Sequence, residues 1–138
     1  MRARLGGAAS FLGWLSHAEL ARVYAACDIL LFPSATDTFG QVILEAQASG
    51  LAVIAVAAGG PLSLIEHGVS GLLSPPDADA LAGALLELAD TPLLRARLAQ
   101  RALDAVRERT WDRALQRLGA AYWSALADPQ PAEVARAA

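Results

Sequence analysis

The chain has 138 residues, a formal charge of -3 and 55% hydrophobic side chains. That length fits one domain with a sizeable core, and the charge gives no electrostatic case for nucleic acid. No apolar run is long enough to cross a bilayer. A lone cysteine, Cys27, excludes an internal disulfide framework, and His17 and His67 are too few and too far apart for a metal cluster. The first residues carry neither a secretory nor a transit pattern, so a cytoplasmic location is expected. Every basic residue is Arg, and none lies between Arg22 and Arg95. An anion bound in that window must rely on backbone amides and helix ends.

Phe11 to Gly13 reads as a short strand. Ser16 then caps a helix from His17 to about Ala26, with Glu19 completing a capping box. Leu20, Val23 and Tyr24 give that helix an apolar stripe. Cys27 follows and is expected to be a small buried hydrophobe. Asp28 to Phe32 is the next strand, ended by Pro33-Ser34. A helix spans about Gly40 to Ser49 and closes at Gly50. Leu51 to Val56 is apolar on both faces, as in the middle of a parallel sheet. Gly59-Gly60-Pro61 forms a loop with a helical turn or two through Ile65. Gly68 and Gly71 bracket a turn before a short strand at Leu72-Leu73.

From Asp77 the pattern is helical only. Asp77 or Asp79 caps a helix ending near Asp90, Thr91-Pro92 opens a second to about Arg109, and Thr110 caps a third carrying Trp111, Leu115, Leu118 and Trp123. The Arg residues from Arg95 to Arg117 read as a solvated helix surface. The tail 128–138, with two prolines, is expected to be disordered, leaving 1–127 as the folded part. Strands alternating with helices predict an α/β, Rossmann-like parallel sheet with flanking helices. About four strands are expected, against about six in a full doubly wound sheet, and the abrupt start predicts an N-terminally incomplete domain.

Ligands of open parallel sheets bind outside the carboxyl ends of the strands. The loops Leu15-Ser16, Pro33 to Phe39 and Ala57 to Pro61 leave strands on that edge. The helix beginning near Gly40 offers unpaired N–H groups and a positive dipole end to an anion. Glu45 lies about 7.5 Å further along the helix axis, and Asp37 precedes the helix. Two carboxylates flanking a phosphate position suit a diphosphate with a diol on either side, since each carboxylate oxygen can accept a separate O–H.

The segment "DTFGQVILEA" resembles the glutamate-x7-glutamate signature of retaining GT-B glycosyltransferases, the large family 4 or "glycosyl transferases group 1". "FLGWLSHAELARVYAACDILLFPS" before it and "ASGLAVIAVAAGGPLSLIEHGVSGLLSPPD" after it resemble the flanking family segments in the same order. The likeness covers roughly residues 10 to 126 and implies the C-terminal, donor-binding domain of a GT-B fold. It implies that Glu45 holds ribose hydroxyls, that Asp37 contacts the donor sugar, and that Phe39, Gly40, Gln41 and Val42 meet sugar and phosphates. Gly59 and Gly60 would lie against the sugar, and Gly13 near the base. Asp37 is one methylene shorter than the usual glutamate, and "TDTFG" is similar to mannosyltransferase-like members. The implied donor is a nucleoside-diphosphate sugar, GDP-mannose-like or UDP-glucose-like, with GDP-mannose favoured.

No cofactor or metal is implied, because departing diphosphate would be stabilised by amides and cationic groups. The family's diphosphate-clamping Arg and Lys, its N-terminal domain and its acceptor site have no counterpart in this sequence. A separate N-terminal GT-B domain is therefore an expected partner, and any peripheral membrane association would run through it. The alternatives are a non-catalytic subunit of a split transferase, an inactive gene fragment, or a GT-B epimerase, against which the Asp37-to-Glu45 spacing argues. On residues alone, Glu45 also reads as an ordinary helix acid, Asp37 as a turn residue, Gly59-Gly60 as a simple turn and His67 as a solvated loop residue. Trp14 is left open between edge packing and base stacking.

Overall fold

The computed structural model describes residues 2–127; the tail expected to be disordered lies outside them. A short α1 (Arg2–Leu5) and a 3-10 turn lead into α2 (His17–Ala25). Next come β1 (Ile29–Phe32), α3 (Gln41–Ala48), β2 (Ala52–Val56), α4 (Pro61–Leu64) and β3 (Leu72–Ser74). The chain closes with α5 (Ala78–Asp90), α6 (Pro92–Arg107) and α7 (Trp111–Ala127). Residues up to Val106 form one compact unit, and those from Arg107 a second.

In the first unit the strands form a parallel sheet in the order β1-β2-β3. Ile29 pairs with Ala52 and Phe32 with Ala55, while Ile54 pairs with Leu72 and Val56 with Ser74. Every residue of β2 is buried. Its side chains alternate between the two faces, the period-2 consequence of a pleated strand. Val53 and Ala55 join Ile43, Ala46, Leu64 and Ile65 under α3 and α4. Ala52, Ile54 and Val56 join Leu72, Leu81, Leu88 and Leu98 under α5 and α6. The sheet is thus covered on both faces, which explains why β2 reads as an unbroken apolar run.

The helix ends follow the capping chemistry of the sequence. Ser16 and Glu19 form the reciprocal capping box of α2, the Ser16 amide donating to Glu19 Oε2 at 2.8 Å. The Ser16 hydroxyl, and then its amide, hold the Glu19 carboxyl below the usual range. Asp77, rather than Asp79, caps α5 by accepting the Ala80 N–H at 2.8 Å. In the second unit Thr110 Oγ1 accepts from the Arg113 amide at 3.3 Å, and Arg113 pairs with Glu108. Among the described residues no helix is long and apolar enough to cross a membrane.

Three expectations are corrected. Phe11 to Gly13 is irregular and exposed, not a strand, so the sheet has three strands rather than about four. A strand needs a ladder neighbour, and in a doubly wound sheet the strand preceding the reversal point pairs beyond it. No described strand lies alongside this run. Cys27 is exposed: the partly buried stripe through Val23 would reach it one turn later, but α2 stops at Ala25. Arg95 is not part of a solvated face. The turn at Thr91-Pro92 folds α6 back, and Arg95 donates to the carbonyls of Leu88 at 2.8 Å and Ala89 at 3.3 Å. A cation is favourable at the negative end of α5.

One core side chain conflicts with its surroundings. Gln47 on α3 is fully buried, and neither its Oε1 nor its Nε2 has a hydrogen-bond partner. An unpaired buried amide costs about 1–3 kcal/mol. Gln47→Met, which keeps volume and removes the polar head, is expected to raise unfolding stability by a similar amount in urea titrations. A loss of stability would show that the amide is satisfied.

Candidate functional site

The loops leaving β1 and β2 at their carboxyl ends are locked together by backbone contact. The Gly60 amide donates to the Asp37 carbonyl at 3.0 Å. A Cβ on Gly60 would stand 2.7 to 2.9 Å from the backbone of Phe39, and one on Gly59 only 2.4 Å from Asp37 O. Such separations are below those real Cβ atoms adopt, so only glycine admits the approach. Gly40, the N-cap of α3, has φ 79, and its Cβ would meet Leu64 at 2.7 Å. Three glycines therefore seat the start of α3 against the β2–α4 connection.

Asp37 turns back on this helix start. Its Oδ1 accepts the Phe39 amide at 3.0 Å and also the Gly40 amide. The side chain thus fills part of the anion position that the helix end creates, as short Asp side chains do in turns. The amides of Gln41 and Val42, next in the first turn, have no acceptor among the described residues. They are the donors left open to an external anion. Phe39 is exposed beside them, with 62% of its surface accessible.

Glu45 lies on the next turn of α3 and is half-buried. Its Oε2 accepts from the Tyr24 hydroxyl at 3.4 Å. Tyr24 packs against the cluster beneath α3. Burial raises the Tyr24 phenol above its ordinary value, and the Glu45 charge and hydrogen bond raise it further. The sequence placed Tyr24 only in an apolar stripe. Its hydroxyl, which wants a partner when partly buried, and an acid on the core-facing helix were the signals that could have paired them.

Asp37, Phe39, Gly40, Gln41, Val42 and Glu45 thus share one segment, clasped by Gly59 and Gly60. Gly13 is exposed, with nothing within 4 Å of the position of its Cβ. Trp14 is 98% exposed, so it does not pack the edge of the described structure. His67 is exposed but ordered: its Nδ1 accepts the Leu73 amide at 3.0 Å. It borders a hollow of about 550 Å³ along β3, α5 and α6, which none of the predicted site residues lines. No group of three or more His, Cys, Asp or Glu among the described residues is placed to hold a metal ion.

A parallel sheet covered on both faces, with an open helix N-terminus and flanking carboxylates at its carboxyl edge, defines a Rossmann-like α/β protein. Residues 2–104 match the family profile "Glycosyl transferases group 1", and the chain belongs to that family. It is 42% identical over 123 residues to a D-inositol 3-phosphate glycosyltransferase of Stackebrandtia nassauensis, covering 88% of this chain and 28% of that one. It is 38% identical to a GDP-mannose-dependent alpha-mannosyltransferase of Corynebacterium glutamicum, over 75% of this chain and 25% of the relative. The structure of Anabaena Alr3699/HepE in complex with UDP superposes with a TM-score of 0.75 at 31% identity, covering 90% of this chain and 35% of that one. The fold is that of the C-terminal domain of GT-B glycosyltransferases. The chain spans about a quarter of the length of these curated relatives.

Gly60→Ala is expected to push the Asp37–Phe39 loop off the β2–α4 connection. Its cost should be about 1–3 kcal/mol, as for other overpacked sites, read from denaturant midpoints. An unchanged midpoint would show that the loop shifts freely.

Proposed function

We propose that this chain is the nucleotide-sugar-binding part of a retaining hexosyltransferase, which moves a hexose from a nucleoside-diphosphate donor to a hydroxyl acceptor. The observation that carries this reading is the division of labour at the start of α3. Two open amides, Gln41 and Val42, lie between two carboxylates, Asp37 and Glu45. In this reading the open amides and the helix dipole take the phosphate oxygens. Glu45 accepts the two ribose hydroxyls. Asp37 keeps Oδ1 on the amides of Phe39 and Gly40 and offers Oδ2 to a sugar hydroxyl, so it serves as an oriented acceptor.

The donor is GDP-mannose-like or UDP-glucose-like, in keeping with the family match and with UDP on the structural relative. Backbone amides concentrate hydrogen bonding on the charge that develops as the diphosphate leaves. No basic residue lies between Arg22 and Arg95, so the cationic part of that stabilisation and the acceptor site come from a further GT-B domain. The reading gives no metal a role. Donor binding accelerates transfer only when the transition state is held more tightly than the donor, and the second domain is assigned that part. An exposed thiol at Cys27 suits a reducing, cytoplasmic setting.

Calorimetry with UDP, GDP and their sugar conjugates tests the assignment. Glu45→Gln is expected to weaken nucleotide binding roughly tenfold or more, the range for a lost charged hydrogen bond. Asp37→Asn keeps an oxygen for the two amides but replaces the sugar-facing acceptor with a donor. It should leave UDP or GDP affinity unchanged and lower affinity only for the sugar conjugate. Equal donor affinity in wild type and Glu45→Gln would refute the ribose role.

A further inference from the structure

Glu45 is a half-buried side chain with several rotatable bonds, yet its proposed task demands a fixed carboxylate. The group placed to fix it is the Tyr24 hydroxyl, 3.4 Å from Oε2 and carried by a different element, α2. That separation is long for an O–H···O bond, and such bonds often tighten only when ligand is bound. The Tyr24 ring is itself held: it packs on the cluster that includes Ile43 and Ala46 of α3. Aromatic ring and carboxylate are therefore both anchored to the packing of α3.

We propose that Tyr24 is a positioning residue for Glu45, committing Oε2 to the phenol so that Oε1 is presented to the vicinal hydroxyls of a ribose. This rests on the reading of Glu45 as the ribose acceptor. A carboxylate has room for the arrangement, since its two oxygens offer about four lone-pair sites. A phenol also suits the task better than a cation. It donates one hydrogen bond and leaves the full negative charge for the ligand, whereas an Arg fork would occupy both oxygens. A partner already within reach of the carboxylate lowers the ordering cost that binding would otherwise carry. The absence of Lys and Arg between Arg22 and Arg95 is consistent with this choice of partner.

The test compares UDP with 2′,3′-dideoxy-UDP by calorimetry, using the full chain and its Tyr24→Phe variant, which keeps the ring and removes only the hydroxyl. Tyr24→Phe is expected to weaken UDP binding about three- to tenfold while leaving the dideoxy analogue unchanged. An equal loss for both ligands would mean that the hydroxyl merely supports the fold, and the proposal fails. If wild type prefers UDP over the analogue and Tyr24→Phe alters neither affinity, the proposal fails while the ribose reading of Glu45 stands. If wild type does not distinguish the two ligands, or binds neither, the ribose reading itself fails and the positioning role with it. The Tyr24 titration followed by ultraviolet absorbance gives a ligand-free check: Glu45→Gln should bring the phenol back toward its ordinary value. No change there would show that the two groups are not coupled, which would overturn the proposal.

Discussion

The site depends on the close backbone approach between Gly60 and Phe39. Buried strand β2 fixes the position of Gly59 and Gly60, because all five of its residues are packed between two helical layers. Its end therefore acts as a rigid anvil for the loop that leaves β1. Once Phe39 rests on Gly60, the Gly60 amide can hold the Asp37 carbonyl, and the Asp37 carboxylate can reach the Phe39 and Gly40 amides. Any side chain at position 60 would break that sequence of contacts at its first step. The functional geometry thus derives from the same burial that stabilises the sheet.

Electrostatics within this frame are unusual for a proposed diphosphate site. No cation lies nearby in sequence, and two carboxylates flank the anion position. The balance is met by dipoles: of the four amides at the helix start, Asp37 accepts that of Gly40, the Gly40 carbonyl accepts that of Ile43, and those of Gln41 and Val42 are left open. A partly self-satisfied helix start keeps the loop folded before ligand arrives. It also limits how much attraction the segment can supply alone.

Much of the architecture was legible from the residues. The buried β2 run, the Ser16–Glu19 box, the Gly50 stop and the Thr91-Pro92 turn each obey a local rule that tertiary structure had no reason to override. Phe11 to Gly13 was misread because a strand is a property of a ladder, and sequence pattern does not reveal whether neighbours are present. Cys27 and Arg95 were misread for a related reason: the fate of each turns on where a helix stops and how the next one folds back. At the site, spacing exposed the two carboxylates but not their hydrogen-bond partners. Asp37 acts as a turn residue through Oδ1, and its contact with a sugar belongs to the proposal. Tyr24 was hidden because a tyrosine in an apolar stripe looks like core until its hydroxyl is traced.

In the proposed function a nucleotide diphosphate seats on the open amides at the start of α3. A nitrogen–proton NMR titration of the labelled chain with UDP addresses it residue by residue. The largest shifts are expected at the Gln41 and Val42 amides, with smaller ones at Phe39, Gly40 and Glu45. Shifts concentrated along His67, Leu73 and Arg97, or no shifts at all, would contradict it.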